Sequence, residues 1–155
     1  MTLADLLTPS RVIAEMTSDE HWPAIVELVD HLIAEESLNE DQREPALAAL
    51  RKREDQRSTG IGGGIAIPHS FLPDLEEVVA IFGRSTPGVD FCAVDRAPVH
   101  FIVLFLVPES QHTLHLKTLA AVAKILNSAD TRNRLGQAKD ENEILNILFQ
   151  RPAVA

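Results

Sequence analysis

The sequence predicts an α/β protein in which helices cover both faces of a mostly buried β-sheet. Segments with strand character occupy the middle of the chain, and segments with helical periodicity lie on both sides of them. Residues 98–108, PVHFIVLFLVP, are apolar almost without alternation, which is typical of a strand covered on both faces. At 155 residues, the chain is expected to form a single domain, residues 1–155.

Two helices are predicted before the sheet. In residues 18–36, apolar side chains recur at helical spacing, and Ser18 is the candidate N-cap. Residues 39–52 predict a second helix with Asn39 as its cap. Pro45 is expected to interrupt this second helix or to mark its restart, because proline lacks a backbone N–H.

Three strands are predicted in the middle of the chain. They are residues 65–67, 78–83 and 98–108, which are rich in branched and aromatic side chains. Residues 85–91, STPGVDF, have the composition of a turn between the last two strands. Cys92 is interpreted as a small buried residue in or near a strand.

Helices are predicted again after the sheet. Beyond Pro108, Ser110 is expected to cap a long helix that continues to about Asn127. A short helix around 130–135 and a last one around 140–149 complete the chain.

The composition excludes several classes of function. The net charge is −9, from 14 basic and 23 acidic residues, which argues against binding to nucleic acid or to an anionic membrane surface. The single cysteine excludes an internal disulfide and a zinc site built from cysteines. No apolar run reaches 18 residues and no leader pattern is visible, so a cytoplasmic protein without membrane insertion is expected.

The stretch STGIGGGIAIPHS, residues 58–70, holds four of the seven glycines. A nucleotide-binding loop does not fit, because the third glycine of that pattern would fall on Ile65 and no Gly-Lys-Ser/Thr sequence follows. A serine-hydrolase elbow is also missing. His112 and His115 are three residues apart and His69 could add a third metal ligand, but no HExxH motif supports such a site. We therefore expect neither a metal nor another cofactor.

Two interpretations of His69 remain open from the residues alone. Pro68 fixes its own φ near about −65° and restricts Ile67 to extended geometry, so the histidine is presented from a defined strand end. A neutral imidazole there is a competent nucleophile toward phosphorus. A structural histidine that caps a strand end fits the same spacing equally well.

Three segments together resemble one known family. REDQRSTGIGGGIAIPH, residues 53–69, resembles the active-site signature of the type 2 IIA domains of the bacterial phosphoenolpyruvate-dependent phosphotransferase system, the fructose, mannitol and nitrogen-regulatory group. FCAVDRAPVHFIVLFLVPE, residues 91–109, resembles the family's Asp-x-x-Pro-Val strand. LHLKTLAAVAKIL, residues 114–126, resembles its His-Leu-x-x-Leu-Ala helix. The resemblance implies a mixed β-sheet flanked by helices on both faces.

The resemblance also implies a phosphotransferase component that carries phosphate on a histidine. His69 matches the phosphorylated histidine, His115 the second active-site histidine, and Arg53 an arginine able to hold phosphate oxygens as a fork. Further donors to the phosphate would be Thr59 and the backbone amides of Gly60, Gly62, Gly63 and Gly64. The expected phosphoryl donor is an HPr-like phosphocarrier protein.

Periodicity alone gives His115 and Arg53 ordinary roles. His115 shares a helical face with apolar residues, as a core histidine does, and Arg53 belongs to the charged run RKREDQR. Three positions depart from the family pattern: Ser70, Arg96 and His100. These departures bear on partner choice and on the electrostatics of the site.

The amino-acid sequence of the glycine stretch is more similar to that of nitrogen-type regulatory IIA proteins than to that of mannitol-type ones. The partners would then be an HPr-like donor and regulatory target proteins. Two alternatives are a stand-alone IIA subunit of a fructose- or mannitol-type sugar uptake system, which would pass phosphate to a IIB domain, and a non-catalytic binding module with the same fold.

Overall fold

The computed structural model describes residues 6–56, 58–93 and 95–149. These residues form a six-stranded mixed sheet and five α-helices. The helices are α1 (His21–Ala34), α2 (Arg43–Gln56), α3 (His112–Leu126), α4 (Ala129–Gln137) and α5 (Glu141–Leu148). The strands are β1 (Val12–Ile13), β2 (Gly60–Gly62), β3 (Ile65–Ala66), β4 (His69–Leu72), β5 (Val79–Val89) and β6 (Val99–Pro108). None of the helices in these ranges has the length and apolar character needed to cross a membrane.

The sheet is built around β6. The strand order is β1-β5-β6-β3-β2, and β4 also pairs with β6, next to β3 along the same edge. β5 runs antiparallel to β6, whereas β3 and β4 run parallel to it. β1 is parallel to β5, and β2 forms an antiparallel hairpin with β3. The predicted class, a mixed sheet flanked by helices on both faces, is confirmed.

The two faces of β6 supply the two halves of the hydrophobic core. Phe101, Val103, Phe105 and Val107 pack in one cluster with side chains of α3, α4 and α5. Ile102, Leu104 and Leu106 pack in the other cluster with α1 and α2. Alternate residues of a strand point to opposite faces, so a strand buried on both faces must be apolar at every position. The prediction made from residues 98–108 is therefore confirmed.

The predicted turn at residues 85–91 is wrong. β5 continues to Val89, which pairs with Val99 of β6 after a register shift that follows Arg84. Such an irregularity accommodates a proline and a glycine inside a strand. Cys92 is also corrected: it is exposed, lies outside the strands and has a φ of 54°.

The helix starts differ from the predicted caps. The N-cap of α1 is Glu20, and Ser18 instead donates its backbone N–H to Glu27. Asn39 caps a 3₁₀ turn, Glu40–Gln42, that precedes α2. Pro45 falls in the first turn of α2, where the missing N–H has no intrahelical acceptor to lose, so the helix is not interrupted.

The helices after the sheet lie close to their predicted positions. Ser110 falls in a 3₁₀ turn, Glu109–Gln111, and the N-cap of α3 is Gln111. Ser128 and Asp140 cap α4 and α5 with side-chain hydrogen bonds to backbone N–H groups. These caps satisfy donors that each helix start otherwise leaves without an intrahelical partner.

Candidate functional site

A cavity of about 510 Å³ lies where α2, the start of the glycine hairpin, β4 and α3 meet. Its lining residues are Arg53, Ser58, Thr59, Ile61, Ile67, His69, Leu119, Ala120 and Ala123. The fold thus brings Arg53 and His69 to one cavity from elements that are separate in the chain. Most of the other lining side chains are apolar, and an apolar wall strengthens electrostatic interactions with a bound charged group.

A short break in the sheet edge presents His69. β3 ends at Ala66 and β4 begins at His69, so Ile67 and Pro68 lie between two stretches that pair with β6. Backbone hydrogen bonds still hold this break, because Ile67 donates to the carbonyl of Thr59 at 3.0 Å and Pro68 accepts from Phe105 at 2.9 Å. The fixed φ of proline and these two bonds define the direction in which the histidine leaves the strand.

The hydrogen bond of the His69 ring selects its tautomer. Nδ1 lies 2.8 Å from the carbonyl oxygen of Ile67. A carbonyl oxygen only accepts, so Nδ1 carries the proton and Nε2 carries the lone pair. Nε2 is therefore the nucleophilic atom of the neutral ring.

The surroundings of His69 keep the ring neutral. Burial is the main cause of the lowered pKa of His69, and the positive charge of Arg53 lowers it further. The hydrogen bond to Ile67 and the negative charge of Glu54 oppose this shift without reversing it. At neutral pH the ring is therefore present as the nucleophilic base.

This lowered pKa predicts the pH dependence of phosphoryl transfer to the site. A lowered pKa means that the neutral form persists below the ordinary histidine value of about 6.5. The initial rate of phosphorylation by a phosphorylated HPr-like donor should therefore stay level from pH 8 to about 6.5 and fall only below that value. NMR titration of the His69 ring nitrogens supplies the matching pKa, corrected for the donor's own titration. A midpoint for His69 above the ordinary value would contradict the expectation.

A buried carboxylate beside Arg53 organises the wall of the cavity. Glu54 is buried, and its side chain accepts hydrogen bonds from Nε2 of His21 at 2.9 Å and from the backbone N–H of Thr59 at 3.2 Å. The hydroxyl of Thr59 donates to the same carboxylate. Burial alone would raise the pKa of Glu54, but the hydrogen bonds from His21 and Thr59 outweigh it and hold the pKa below its ordinary value.

Sequence reasoning missed Glu54 and His21. The only local signal was that Glu54 follows Arg53 in the signature segment, and His21 lies 33 residues away in the sequence. This network also changes the interpretation of Thr59. Its backbone N–H and its hydroxyl both point to Glu54, so Thr59 lines the cavity without offering either donor to it.

Gly60 is explained by close packing. It is buried, and a Cβ at this position would lie 2.7 Å from Cβ of Ala93. Its backbone N–H donates to Oγ of Ser58 at 3.1 Å. Glycine is thus required by the approach of the loop after β5, and its amide is directed to Ser58.

The structure does not bring Gly62, Gly63 and Gly64 to the cavity. They form the tip of the β2–β3 hairpin with φ values of 95°, 67° and 81°, in the left-handed region that glycine adopts without strain. The amide of Gly63 donates to Asp95 at 3.1 Å. These glycines shape the turn of the hairpin, and none of the three lines the cavity at His69.

His115 lies beside His69 and is also part of the core. The two ring centroids are 5.2 Å apart, and His115 is 2% exposed. Phe71 and Phe105 contact it edge-on at centroid distances of 5.3 and 6.0 Å. The core position predicted from periodicity and the active-site position implied by the resemblance are therefore compatible.

The side chain of His112 lies outside the described part of the structure. In that described part, no cluster of three or more potential metal ligands occurs.

The structure shows where the three residues that differ from the family pattern lie. Ser70 lies in β4 opposite Leu106. Arg96 has a φ of 60°, a conformation that glycine adopts more easily than arginine. His100 lies in β6, and its Nδ1 is 2.9 Å from the carbonyl oxygen of Ser85.

Comparison with known proteins assigns the chain to a protein family. The family model described as the phosphoenolpyruvate-dependent sugar phosphotransferase system, EIIA 2, matches residues 5–151. The chain belongs to this EIIA type 2 family. Proteins of the family act as phosphocarriers of the phosphotransferase system.

Three similar proteins show the range of this EIIA family. A nitrogen regulatory protein of Bradyrhizobium diazoefficiens is 32% identical over 155 residues, covering 100% of this chain and 99% of that protein. A fructose-specific EIIABC component of Bacillus subtilis is 33% identical over 97% of this chain, which corresponds to 23% of that longer protein. The crystal structure of the nitrogen regulatory protein IIA-Ntr of Neisseria meningitidis aligns with a TM-score of 0.86 and 29% identity, over 94% of this chain and 98% of that one.

Proposed function

We propose that this EIIA chain is a phosphocarrier whose Nε2 of His69 accepts a phosphoryl group from an HPr-like protein. The observation that carries the proposal is the 2.8 Å hydrogen bond from Nδ1 to the carbonyl of Ile67, which leaves the lone pair on Nε2 of a ring lining the cavity. A merely structural histidine at a strand end has no need of a cavity or of a neighbouring arginine. Membership of the EIIA family supports the same chemistry.

In the transfer step, the Nε2 lone pair attacks the phosphorus atom of the donor's phosphohistidine. A P–N bond forms on His69 as the donor's P–N bond breaks, and the electron pair of the broken bond returns to the donor's imidazole. Nδ1 keeps its proton and its hydrogen bond to Ile67, so the ring orientation is maintained through the step. Such a transfer needs alignment and charge neutralisation more than it needs covalent help from the protein.

Arg53 and His115 are assigned supporting roles. Arg53 lines the same cavity, and its charge already acts on the His69 ring. A guanidinium there can hold two oxygens of the transferred group and offset their negative charge. The ring centroids of His115 and His69 are 5.2 Å apart. We assign His115 to limiting the rotation of the His69 ring and to contacting the incoming phosphoryl group.

The role of Arg53 predicts a clear effect of Arg53→Lys. A lysine keeps the charge but cannot form the forked pair, so we expect the rate of phosphorylation to fall by roughly 10- to 100-fold, the equivalent of losing one charge-assisted hydrogen bond. The rate is measured by quenched-flow transfer from labelled phospho-HPr. Arg51→Lys, an exposed position on the same helix, is the matched control. Equal rates for both variants would refute the role of Arg53.

We further propose that the carrier serves nitrogen-type regulation. The supporting observations are the full-length match to a nitrogen regulatory protein and the close fold match to a second one. Phosphorylation adds roughly −1.5 to −2 charges, by analogy with other phosphorylated side chains, beside a cavity with an apolar wall. Regulatory target proteins that dock over this cavity should therefore distinguish the two forms. The fructose-specific relative supports sugar uptake as the second candidate.

The proposal is tested by incubating the full chain with phosphoenolpyruvate, Enzyme I and HPr. Mass spectrometry should then locate an acid-labile phosphate on His69, and a chain without phosphohistidine would be a binding module instead. Pull-downs with the phosphorylated and unphosphorylated forms test the regulatory part. Targets that bind both forms alike, together with rapid transfer to a fructose-type IIB domain, would favour sugar uptake.

A further inference from the structure

A second cavity, of about 200 Å³, is lined by residues that do not line the cavity at His69. Its lining residues are Arg84, Ser85, Thr86, His100, Phe101 and Gly136. Along β6, His69 pairs with Phe105 whereas Arg84 pairs with Phe101, so the two cavities lie about 13 Å apart along the strand. None of the residues that line this second cavity has a role in the proposed phosphoryl transfer to His69.

Arg84 gives this cavity a buried positive charge. The residue is 8% exposed, and its Nε donates to the carbonyl of Ala14 at 2.8 Å. Its Nη1 donates to the carbonyls of Leu135 at 2.8 Å and Ala138 at 2.6 Å. A guanidinium has five N–H donors, so these bonds account for three of them. Within the described residues, the two donors of Nη2 have no hydrogen-bond acceptor.

The charge of Arg84 also has no acidic partner in the described part of the chain. None of the carboxylates there lies within 4.0 Å of its guanidinium. Backbone carbonyls satisfy three of its N–H groups, and Nη2 is not among the buried side-chain atoms without a partner, so its two donors are accessible from the cavity. A small anion at Nη2 would supply the missing charge and accept the two remaining N–H groups.

The other polar groups of the cavity determine which hydrogen-bond donors and acceptors a ligand needs. Oγ of Ser85 accepts from the amide of Gly88 at 3.1 Å, which leaves its own proton available to donate. Nδ1 of His100 donates to the carbonyl of Ser85, which leaves Nε2 as an acceptor. Glu15 accepts hydrogen bonds from the N–H and hydroxyl of Thr86, so the donors of Thr86 are already occupied.

We propose that this cavity binds a phosphate group without covalent chemistry. Oxygen atoms of the phosphate would accept from Nη2 of Arg84 and the hydroxyl of Ser85, and a protonated phosphate oxygen would donate to Nε2 of His100. A cavity of about 200 Å³ has room for an ion of the size of inorganic phosphate. A carboxylate matches Arg84 and Ser85 but brings no donor for His100, so phosphate is preferred to acetate.

The test is an NMR titration of the ¹⁵N-labelled full chain with inorganic phosphate at constant ionic strength. We expect saturable shifts at the amides of Ser85 and Gly136, unchanged in His69→Ala, with acetate binding at least about tenfold more weakly. Shifts that are absent, that do not saturate, or that disappear in His69→Ala would overturn the proposal. Equal binding of acetate would overturn the assignment to phosphate.

Gly136 offers a matched pair of variants that leave Arg84 and its hydrogen bonds in place. Gly136 is exposed and lines the cavity, and a Cβ at this position of α4 meets nothing within 4 Å, so a larger side chain fits at the cavity rim without a clash. Gly136→Leu should weaken phosphate binding by at least about tenfold, whereas Gly136→Ala should leave it unchanged. Both substitutions are favourable in a helix, so the fold is retained. Wild-type affinity in Gly136→Leu would show that phosphate binds elsewhere.

Discussion

Replacement of His69 by alanine is expected to abolish phosphorylation of the chain by a phosphorylated HPr-like donor. The variant lacks the only ring nitrogen that the proposed step uses as a nucleophile, and neither Arg53 nor a backbone amide can replace it. The measurement is incorporation of labelled, acid-labile phosphate, followed by peptide mapping. Incorporation should fall to the level of a reaction without donor.

The matched control for this experiment is His31→Ala. His31 resembles His69 in one respect, since its Nε2 lies 2.8 Å from the carbonyl oxygen of Ser10, but it lies on α1 and does not line the cavity at His69. The control should therefore be phosphorylated as fast as the unmodified chain. Stable phosphate on any other residue of His69→Ala would refute the assignment of the acceptor.

His115→Ala separates the acceptor from the residue beside it. If His115 orients the His69 ring and contacts the transferring group, the variant still incorporates phosphate but passes it on slowly. Forward and reverse transfer should be measured together with thermal stability, because His115 is also buried in the core. Unchanged transfer rates in a folded variant would leave His115 with a packing role alone.

The strongest parts of the fold could be predicted because they depend on the chain's own pattern. Residues 98–108 are apolar on both faces, and this property requires a central strand whatever surrounds it. Three short strands, at positions 12–13, 60–62 and 69–72, were not predicted, because stretches of two to four residues carry too little periodicity. The extension of β5 through Pro87 was not predicted either, because a bulge tolerates the same residues as a turn.

Some residues of the site were placed correctly from the sequence, and others were missed. Arg53 and His69 lie at one cavity as the family resemblance implied, while periodicity had placed Arg53 among solvated charges. The resemblance also implied that the amides of Gly62, Gly63 and Gly64 hold phosphate, but these glycines have left-handed backbone at the hairpin turn and do not line the cavity. Glu54 could not be found from the sequence, because its partner His21 lies on another helix and a charged run gives no sign of burial.

Glu54→Ala is expected to lower the free energy of unfolding by about 2–4 kcal/mol. The carboxylate accepts hydrogen bonds from the partly buried His21 and from both donors of the buried Thr59, and the truncation leaves these donors without their acceptor. Urea denaturation at pH 7 measures the loss. Glu54→Gln should lose less, because its amide oxygen still accepts from Thr59 and its amide nitrogen can donate to the other tautomer of His21.

The effect should depend on pH in a direction set by the pKa of Glu54. This pKa is lower in the folded chain than its ordinary value of 4.5, so the ionised carboxylate favours folding above that value. As pH falls through the lower folded pKa, this contribution is lost, and the unmodified chain and Glu54→Gln should converge in stability. A difference that grows on acidification would contradict the assigned direction.

Glu44→Ala is the matched control for Glu54→Ala, because it removes the same group from the same helix. The side chain of Glu44 is 81% exposed, and among the described residues its ion pair is with the partly exposed Arg43, so its loss should change stability by less than about 0.5 kcal/mol. If the two alanine variants are equally stable, the network around Glu54 does not hold the cavity wall. If Glu54→Ala alone loses stability and is also phosphorylated slowly, the buried carboxylate positions Thr59 in the cavity wall, and the same network stabilises the fold and the site.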